Sequence, residues 1–473
     1  MIYLPNLMLC KYTLLPISCC RPAVVDNPLV TGAGAGAWQL ATSDYWGVPL
    51  SHAGSHKSWR PVTSLSFRLN MLAAGPRPAT FHLANLLLHG AVTAAFLQLV
   101  SRLAPQLVAV AGLCWAVMPV HCEAVAGVVG RADLLATLLA LLTLLHHTRR
   151  GGAGWSPATP LLAALAMLAK EQGVTVLGVA AVLDLVAARW RSLRMTAATA
   201  AVLLSCRAAC LGGELPSFSR ADNPASHAAA ATTRGLTFLH LPALNLGLVV
   251  LPATLSYDWS MSAVPLVSSW ADPRNLLSLG LYSLLGCLTS KLVFPLYQLH
   301  QTTFSSLWRS NLSKSCARTS RPTTSQIEAI SIIALALSLI ILPFLPAANI
   351  FFYVGFVVAE RLLYLPSLGV CLLLAQGYRA LAAHRRCRGV AALSLRLGLA
   401  VMLVSSGLRT LTRNLDWRDE ETLFKSGLAV NPPKSFSNLG NILYAKGDLE
   451  DAEACFKEAI LHRPNMADTH YNL

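Results

Sequence analysis

The stretch TSDYWGVPLSHAGSHKSWRPVT, residues 42–63, gathers a carboxylate (Asp44), two imidazoles (His52, His56), Lys57, Arg60 and three aromatic side chains, with no hydrophobic period running through it. These are residue types that move protons, hold anions and stack on rings. Four more charge groups lie within or beside apolar segments: PVHCEAVAGVVGRAD (119–133), AKEQG (169–173), the span from DNPAS to DWS (222–260), and NIFFYVGFVVAERLLYLPS (349–367). A charge at membrane depth is costly unless paired, so each group marks either a site or a structural ion pair. Arg131 and Asp133 are two apart and cannot face each other on a helix, so each must find its partner elsewhere. Lys170-Glu171 and Glu360-Arg361 carry the same two readings. His121 reads as a helix-end or packing residue. His82 and His89, seven apart on one helix face, read as packing. Asp44 has a turn or cap role as its alternative, because Asp before an aromatic residue often accepts from nearby backbone N–H groups.

The elements that must position these residues are membrane helices. Of 473 residues, 54% are hydrophobic and 12% charged, and mean hydropathy is +0.53. Those values define an all-α, polytopic membrane chain with about 10–11 membrane segments of roughly 20 residues or slightly fewer. The net charge of +15 does not point to nucleic acid. The basic residues cluster in short loops, at 146–152, 189–194, 307–321 and 383–388, as cytoplasmic loops do. The twelve cysteines are scattered, several inside apolar segments (Cys114, Cys206, Cys287, Cys371). Cys19-Cys20 is a vicinal pair. Neither a disulfide framework nor a metal site is expected.

The chain divides into an atypical apolar N-terminus (1–20, broken by Pro5, Lys11 and Pro16), a polar first loop (21–80), a multi-span domain (81–411) and a soluble C-terminal part (412–473). Apolar segments fall near 81–103, 105–120, 124–145, 159–187, 195–211, 236–255, 275–299, 327–346, 350–376 and 390–411. Segment 159–187 is expected as two short helices broken at Lys170–Gly173. Segment 236–255, with Pro242, Asn245 and Pro252, is expected to be re-entrant. Counting sides from the basic loops places 21–80, the loop near 121, the turn at 347–349 and everything after 411 away from the cytoplasm. The charge groups are therefore expected to converge on one non-cytoplasmic cavity.

Residues 412–473 fit the 34-residue tetratricopeptide pattern. With Pro433 first, Phe436, Leu439, Gly440, Gly447, Ala452, Phe456, Ala459 and Pro464 occupy its positions, and Asn472-Leu473 repeats Asn438-Leu439 at an offset of 34. Residues 416–432 read as the second helix of a preceding half-repeat. Such repeats need about three copies to bury a core, so a longer, truncated array is expected.

The ordered motifs SDYWG, SHKSWRP, FHLANLLLH, PVHCEAVAGVVGRADLLA, LAKEQGVTVLGV, RADNPA, LPFLPAANIFFYVGFVVAERLLYLPSLG and DWRDEETLF resemble the TMTC family, the transmembrane and tetratricopeptide-repeat-containing proteins. The resemblance covers about residues 24–473 and implies a GT-C-like glycosyltransferase of the endoplasmic-reticulum membrane. Such an enzyme transfers mannose from dolichol-phosphate-mannose to serine or threonine of luminal or secreted proteins such as cadherins, with the repeats in the lumen. Transfer from a phosphate leaving group to a hydroxyl calls for a carboxylate base, cations for the phosphate and aromatics for sugar and acceptor. On that reading Asp44 or Asp26 is the base. His56, Lys57, Arg60, Arg131, Lys170, Glu171, Glu360 and Arg361 bind donor phosphate or substrate, Tyr45, Trp46 and Trp59 stack, and no metal or further cofactor is implied. The family pattern has an adjacent acidic pair after its first helix. In CCRPAVVDNPLV only Asp26 is present, which implies an atypical N-terminus or a form without activity. The rival reading is a non-catalytic membrane adaptor presenting its repeats to luminal or calcium-handling partners. A transporter is disfavoured, since no internal hydropathy repeat accompanies the soluble appendage. The sequon at Asn311 is expected unmodified in a cytoplasmic loop.

Overall fold

The computed structural model describes residues 21–34, 36–149, 154–213, 218–308, 324–384 and 386–473. The stretch 1–20 with Cys19-Cys20, the sequon at Asn311, residues 150–153 of the first basic loop and Arg385 lie outside them. Among the described residues every regular element is helical, apart from one isolated bridge between Ser43 and Pro49 in the first loop.

Among the described residues, seven helices are long and apolar enough to cross a membrane: Pro78–Leu103, Val128–His147, Trp190–Cys210, Arg274–Val293, Gln326–Ala347, Glu360–Ala382 and Val390–Asp416. Backbone N–H and C=O groups find no partner in lipid, so an apolar run of this length satisfies them internally as helix. Pro105–Ala116 and Ala158–Ala169 are apolar but shorter. The expected break in 159–187 is present. The helix Ala158–Ala169 stops where Lys170 turns extended, a short 3-10 turn follows, and Val176–Val186 resumes. Gly173 lies against the carbonyl of Ala166, where any Cβ would collide. The chain 350–359 is irregular, so the helix expected from 350 begins only at Glu360–Tyr364. Asn349 takes a left-handed φ of 57°, and its Oδ1 accepts from the N–H of Val354 at 3.1 Å, which turns the backbone out of the helix. Residues 231–250, expected as part of a re-entrant segment, form one continuous helix through Pro242.

Two opposite faces are recognisable by their ties. On one, Thr63 Oγ1 donates to Ala169 O (2.7 Å), Asn85 Nδ2 to Gly127 O (3.1 Å) and Thr410 Oγ1 to Val117 O (2.7 Å). On the other, Arg102 donates to Leu145 O (2.9 Å), Ser192 Oγ donates to Asp184 (2.7 Å), and His147 Nε2 lies 2.9 Å from the same carboxylate. The first loop and the repeats belong to the former face, and the basic loop ends to the latter. The helix Ala231–Val250 lies with both ends on the first-loop face. Its N-terminal side is held through Asn223, which donates to Val354 O (3.0 Å), and Arg409 caps Pro252 O beyond its C-terminal end (3.1 Å).

The core between the faces packs Phe96, Trp115, Leu134, Leu335, Tyr364 and Leu368. Several polar side chains at its centre pair with one another, as a low-dielectric interior favours. Trp115 Nε1 donates to Thr93 Oγ1 (3.0 Å), His89 Nδ1 lies 2.7 Å from Tyr364 Oη and His121 Nε2 lies 3.0 Å from Ser367 Oγ. The packing role expected for His89 and His121 is met in this way. Close approach of Thr324–Ile341 and Tyr364–Ala382 requires Gly369, where a Cβ would meet the Ala336 carbonyl.

The repeat is built from Pro432–Lys446 and Leu449–His462, joined at Gly447, whose φ of 90° suits a residue without a Cβ. Gly440 lets Phe456 into the crossing, and Ser437 Oγ lies 2.9 Å from Thr469 Oγ1 of the next helix, Ala467–Asn472. The preceding segment holds one seven-residue helix, Glu420–Ser426, opened by a capping box between Asp419 and Thr422.

Candidate functional site

The first loop is organised around Asp44. Its carboxylate is 1% exposed. Oδ1 accepts from the N–H groups of Trp46 (2.9 Å) and Val48 (3.0 Å), and Oδ2 from Ser55 Oγ (2.8 Å) and the N–H of His56 (3.0 Å). Four donors occupy both oxygens, so Asp44 holds the loop and presents no open lone pair to a substrate. Lys57 is buried in a left-handed conformation (φ 55°) and donates from Nζ to Leu50 O at 2.8 Å. Its charge is turned inward, which corrects its assignment to substrate phosphate. His56 stays exposed, its ring 6.1 Å from Trp46 and 6.3 Å from Phe218. Asp26 is exposed beside Asn27, whose Nδ2 ties Tyr45 O at 2.9 Å.

Arg131 is also scaffold. It is buried between the rings of Phe67 (4.5 Å) and Phe81 (5.3 Å). It donates to Asn85 Oδ1 (2.9 Å), Asn70 Oδ1 (3.0 Å), Phe81 O (3.0 Å) and Ser66 O (3.3 Å). Its fork is spent on neutral acceptors that pin the first loop's helix Pro61–Ala74 to the bundle, so it does not point at a ligand.

The remaining charges converge. Lys170 Nζ meets Asp133 Oδ1 at 2.5 Å, with Gln172 Nε2 at 3.3 Å from the same oxygen. Arg361 donates from Nη1 to Glu123 Oε1 (2.7 Å), and its backbone N–H donates to Oε2 (2.9 Å). Arg60 lies across Glu171 (2.9 Å), which also takes Arg207 at 3.3 Å. These three groups are not isolated. Lys170 is within electrostatic reach of both Arg60 and Arg361, and both guanidiniums are within reach of Asp133 and Tyr45. Glu171 lies in the turn between the two short helices, where its carboxylate takes Arg60 and Arg207 together. Within this cluster the Arg361 side chain is 38% exposed and Arg60 21%, whereas Lys170 is 5%. Asp133 Oδ2 and Trp59 Nε1 are buried with no hydrogen-bond partner among the described residues. An open rim of cations over buried unpaired polar atoms is an arrangement that can hold an anion and its attached group.

Glu360 is buried behind this rim. Oε1 accepts from Ser256 N (2.6 Å) and Trp259 Nε1 (3.0 Å), and Oε2 faces Arg413 at 3.9 Å. It therefore fixes the turn carrying Arg361 and does not itself face the rim. The same 256–260 loop holds the repeats. Asp258 takes Lys434 Nζ (2.7 Å) and Asn431 Nδ2 (3.0 Å), while Tyr257 Oη accepts from Asn438 (3.2 Å). Burial works against ionising Asp258, but Lys434 outweighs it and holds the carboxyl below its ordinary range. Arg413 donates to Asp416 and to Ser426 Oγ, both at 3.1 Å, so the repeat domain and the Arg361 turn share one buried set of partners.

Of the residues singled out from sequence, the structure brings together Arg60, Lys170, Glu171 and Arg361 and places Asp44, Lys57, Arg131 and Glu360 in the scaffold. Glu123 and Arg207 belong to the cluster and were not selected as site residues. Glu123 stood in the quoted 119–133 motif, and Arg207 is an arginine inside an apolar segment, the type of signal that marked the others.

Sequence comparisons bear on the same regions. The family described as "Protein O-mannosyl-transferase TMTC, DUF1736" matches residues 212–286, which contain the Asn223 turn and the 256–260 loop. The tetratricopeptide repeat family matches 433–466. The chain is 40% identical to Protein O-mannosyl-transferase TMTC2 of Homo sapiens, over 91% of this chain and 58% of that protein. It is 38% identical to Protein O-mannosyl-transferase Tmtc1 of Drosophila melanogaster (96% and 60%), and 34% identical to Protein O-mannosyl-transferase TMTC3 of Homo sapiens (92% and 48%). The chain thus spans between about half and three fifths of these relatives' length. No solved structure matches.

Proposed function

The chain belongs to the TMTC family, and on that premise we propose that it is a protein O-mannosyltransferase of the endoplasmic-reticulum membrane. It takes mannose from dolichol-phosphate-mannose and transfers it to serine or threonine of luminal proteins such as cadherins, which its repeats present from the luminal side. The observation that carries the reading is the convergence of Arg60, Lys170 and Arg361 around Asp133 at the face shared by the first loop and the repeats. Separate pairing across distant helices, as in a plain membrane anchor, would not place three cations within reach of one carboxylate.

In this assignment Arg60 and Arg361 meet the donor phosphate at the rim, and Lys170 supports it from below. Glu171 and Glu123 hold those guanidiniums in place, and Arg207 shares Glu171. His56, flanked by Trp46 and Phe218, lines the approach for sugar or acceptor hydroxyl. Asp26, exposed on the same loop, takes the base role that Asp44 cannot fill with both oxygens engaged.

The test is mannose transfer in membranes from cells expressing only this protein, supplied with labelled dolichol-phosphate-mannose and cadherin repeats. Transfer that falls at least about tenfold with Arg361→Gln and with Asp26→Asn supports the assignment. Transfer untouched by Asp26→Asn removes Asp26 from the base role. No transfer by any form, with acceptor still bound, favours the adaptor.

A further inference from the structure

The helix Ala231–Val250 has 20 residues, but among the described residues it is not one of the seven long and apolar enough to cross a membrane. At 1.5 Å per residue it extends about 30 Å, the thickness of a hydrocarbon core. Both its ends nevertheless stay on the first-loop face. Before it, Asn223 donates to Asn349 Oδ1 (2.9 Å) and Val354 O (3.0 Å). After it, Arg409 donates to Pro252 O (3.1 Å) and Ala253 O (3.0 Å), and Met261 N returns to Ala221 O at 2.8 Å. The helix therefore lies along that face and does not pass through. Its depth is set by a neighbour that spans. Tyr282 Oη donates to Leu239 O at 3.2 Å, and Ser278 Oγ lies 3.5 Å from His240 Nδ1. Ser278 and Tyr282 stand four and eight residues into the spanning helix Arg274–Val293, so the middle of Ala231–Val250 sits roughly 6–12 Å below that helix's start. At this level Leu277 and Leu279 of the spanning helix are already exposed, facing lipid.

The two faces of Ala231–Val250 are reversed from those of a helix in water. Polar side chains turn inward: Thr237 Oγ1 accepts from Val267 N (2.9 Å), Asn245 Nδ2 donates to Leu241 O (2.8 Å), and His240 is buried. Gly235, Leu239 and Val250 are exposed and Leu246 partly so, an apolar line at helical spacing. No Asp, Glu, Lys or Arg falls between residues 235 and 250, and Arg234 in the first turn is tied back to Ala228 O at 2.7 Å. The apolar surface continues past the helix, where the Tyr353 ring lies 5.8 Å from Phe238 beside the exposed Phe351. Polar groups inward and apolar groups outward is the arrangement lipid selects, because hydrocarbon pairs no polar group and leaves leucine at no cost.

We propose that Ala231–Val250 and the 350–353 turn form a lipid-binding face seated in one membrane leaflet, the leaflet on the first-loop side. Its occupants are the glycerol-proximal parts of phospholipid acyl chains, the same surroundings that Leu277 and Leu279 meet beside it. The helix is laid along the leaflet, as monotopic helices are. It also packs against the turn Glu360–Leu363, which carries Arg361, so the leaflet holds the back of the charge cluster at a fixed depth, whatever group that cluster binds.

The test is photocrosslinking of the full chain in vesicles of palmitoyl-oleoyl phosphatidylcholine, with a benzophenone amino acid placed singly at Leu239, Val250 or Phe351. Leu279 on the spanning helix and Leu461 on the repeat are the lipid-facing and water-facing references. All five side chains are exposed, so the fold accommodates the probe, and each variant is first required to elute and melt as the parent does. Mass spectrometry of the adducts should give phospholipid at Leu239, Val250 and Phe351 within about threefold of Leu279 and at least about tenfold above Leu461. The points of attachment should fall in the half of the acyl chain next to the glycerol. Lipid yields at the Leu461 level from Leu239 and Val250 overturn the proposal. Adducts there to a second copy or to another protein do the same. So does attachment at the terminal-methyl end from either position, since only a helix reaching the bilayer midplane touches it.

Discussion

Consider removal of the Lys170 charge by Lys170→Met. Lys170 is 4% exposed and Asp133 1%, with Nζ and Oδ1 2.5 Å apart. Asp133 has one other donor to Oδ1, Gln172 at 3.3 Å, and none to Oδ2 among the described residues. Truncating the cation therefore leaves a buried carboxylate with one long hydrogen bond. Breaking a buried pair from one side costs about 3–5 kcal/mol. At about 2 °C per kcal/mol for a chain of this size, the melting temperature should fall by about 6–10 °C. Asp133→Asn alone should cost less, because the amide carbonyl can still accept from both Lys170 and Gln172. The double variant removes both charges and should be more stable than Lys170→Met, since an uncharged pair of similar volume is often neutral. Melting followed by the rise in dye-reactive thiols as the buried Cys114 and Cys371 open, above the level set by the exposed Cys206, Cys210 and Cys287, measures all three. A Lys170→Met protein within about 0.5 kcal/mol of the parent would refute the buried-pair reasoning. The stable double variant also separates roles: full mannose transfer by it would remove Lys170 from the donor site while leaving the fold argument intact.

The other expectations are briefer. Asp44→Ala strips four hydrogen bonds from a buried loop centre, so it should cost at least about 2 kcal/mol and open the loop to proteolysis near 46–56, with Asp44→Asn losing less. Gly369→Ala forces the helices Thr324–Ile341 and Tyr364–Ala382 apart at Ala336 and should cost about 1–3 kcal/mol by chemical denaturation. Docking of the repeats should depend on acid. The Asp258 carboxyl is held below its ordinary range, so its contribution is complete above about 4 and is lost as pH falls through the lowered value. Hydrogen exchange at 431–438 should rise in that window, and Asp258→Asn should flatten the dependence. Arg131→Lys cannot reproduce a fork spread over Asn85, Asn70 and Phe81, and should destabilise by about 2 kcal/mol or more in the same melting assay.

Much of the architecture was legible because it follows from local rules. Apolar runs must become helices where no water can pair the backbone, so 81–103, 195–211, 275–299 and 390–411 could be read directly. The Lys170–Gly173 break was written in a charged pair beside a glycine. The repeat was visible because glycine and alanine must stand where helices cross. The segment 350–376 misled because its residues are apolar throughout. What ends the helix there is Asn349 in a left-handed turn with its side chain capping Val354, a device that hydropathy does not register.

The site divides along the same line. From composition alone came the list of charges that a membrane protein keeps at a cost: Arg60, Lys170, Glu171, Glu360, Arg361 and Arg131. Which of them face a cavity depended on partners far away in the chain. Asp44 looked like a base until Ser55 and three backbone N–H groups closed around it. Arg131 looked like a phosphate ligand until Asn85, Asn70 and two phenyl rings took its guanidinium. Sequence determines which side chains carry charge, since that is chemistry each residue brings with it. Tertiary structure decides whether the charge is spent inside the protein or left open to a ligand, because hydrogen-bond capacity is finite and residues more than a hundred positions apart compete for it.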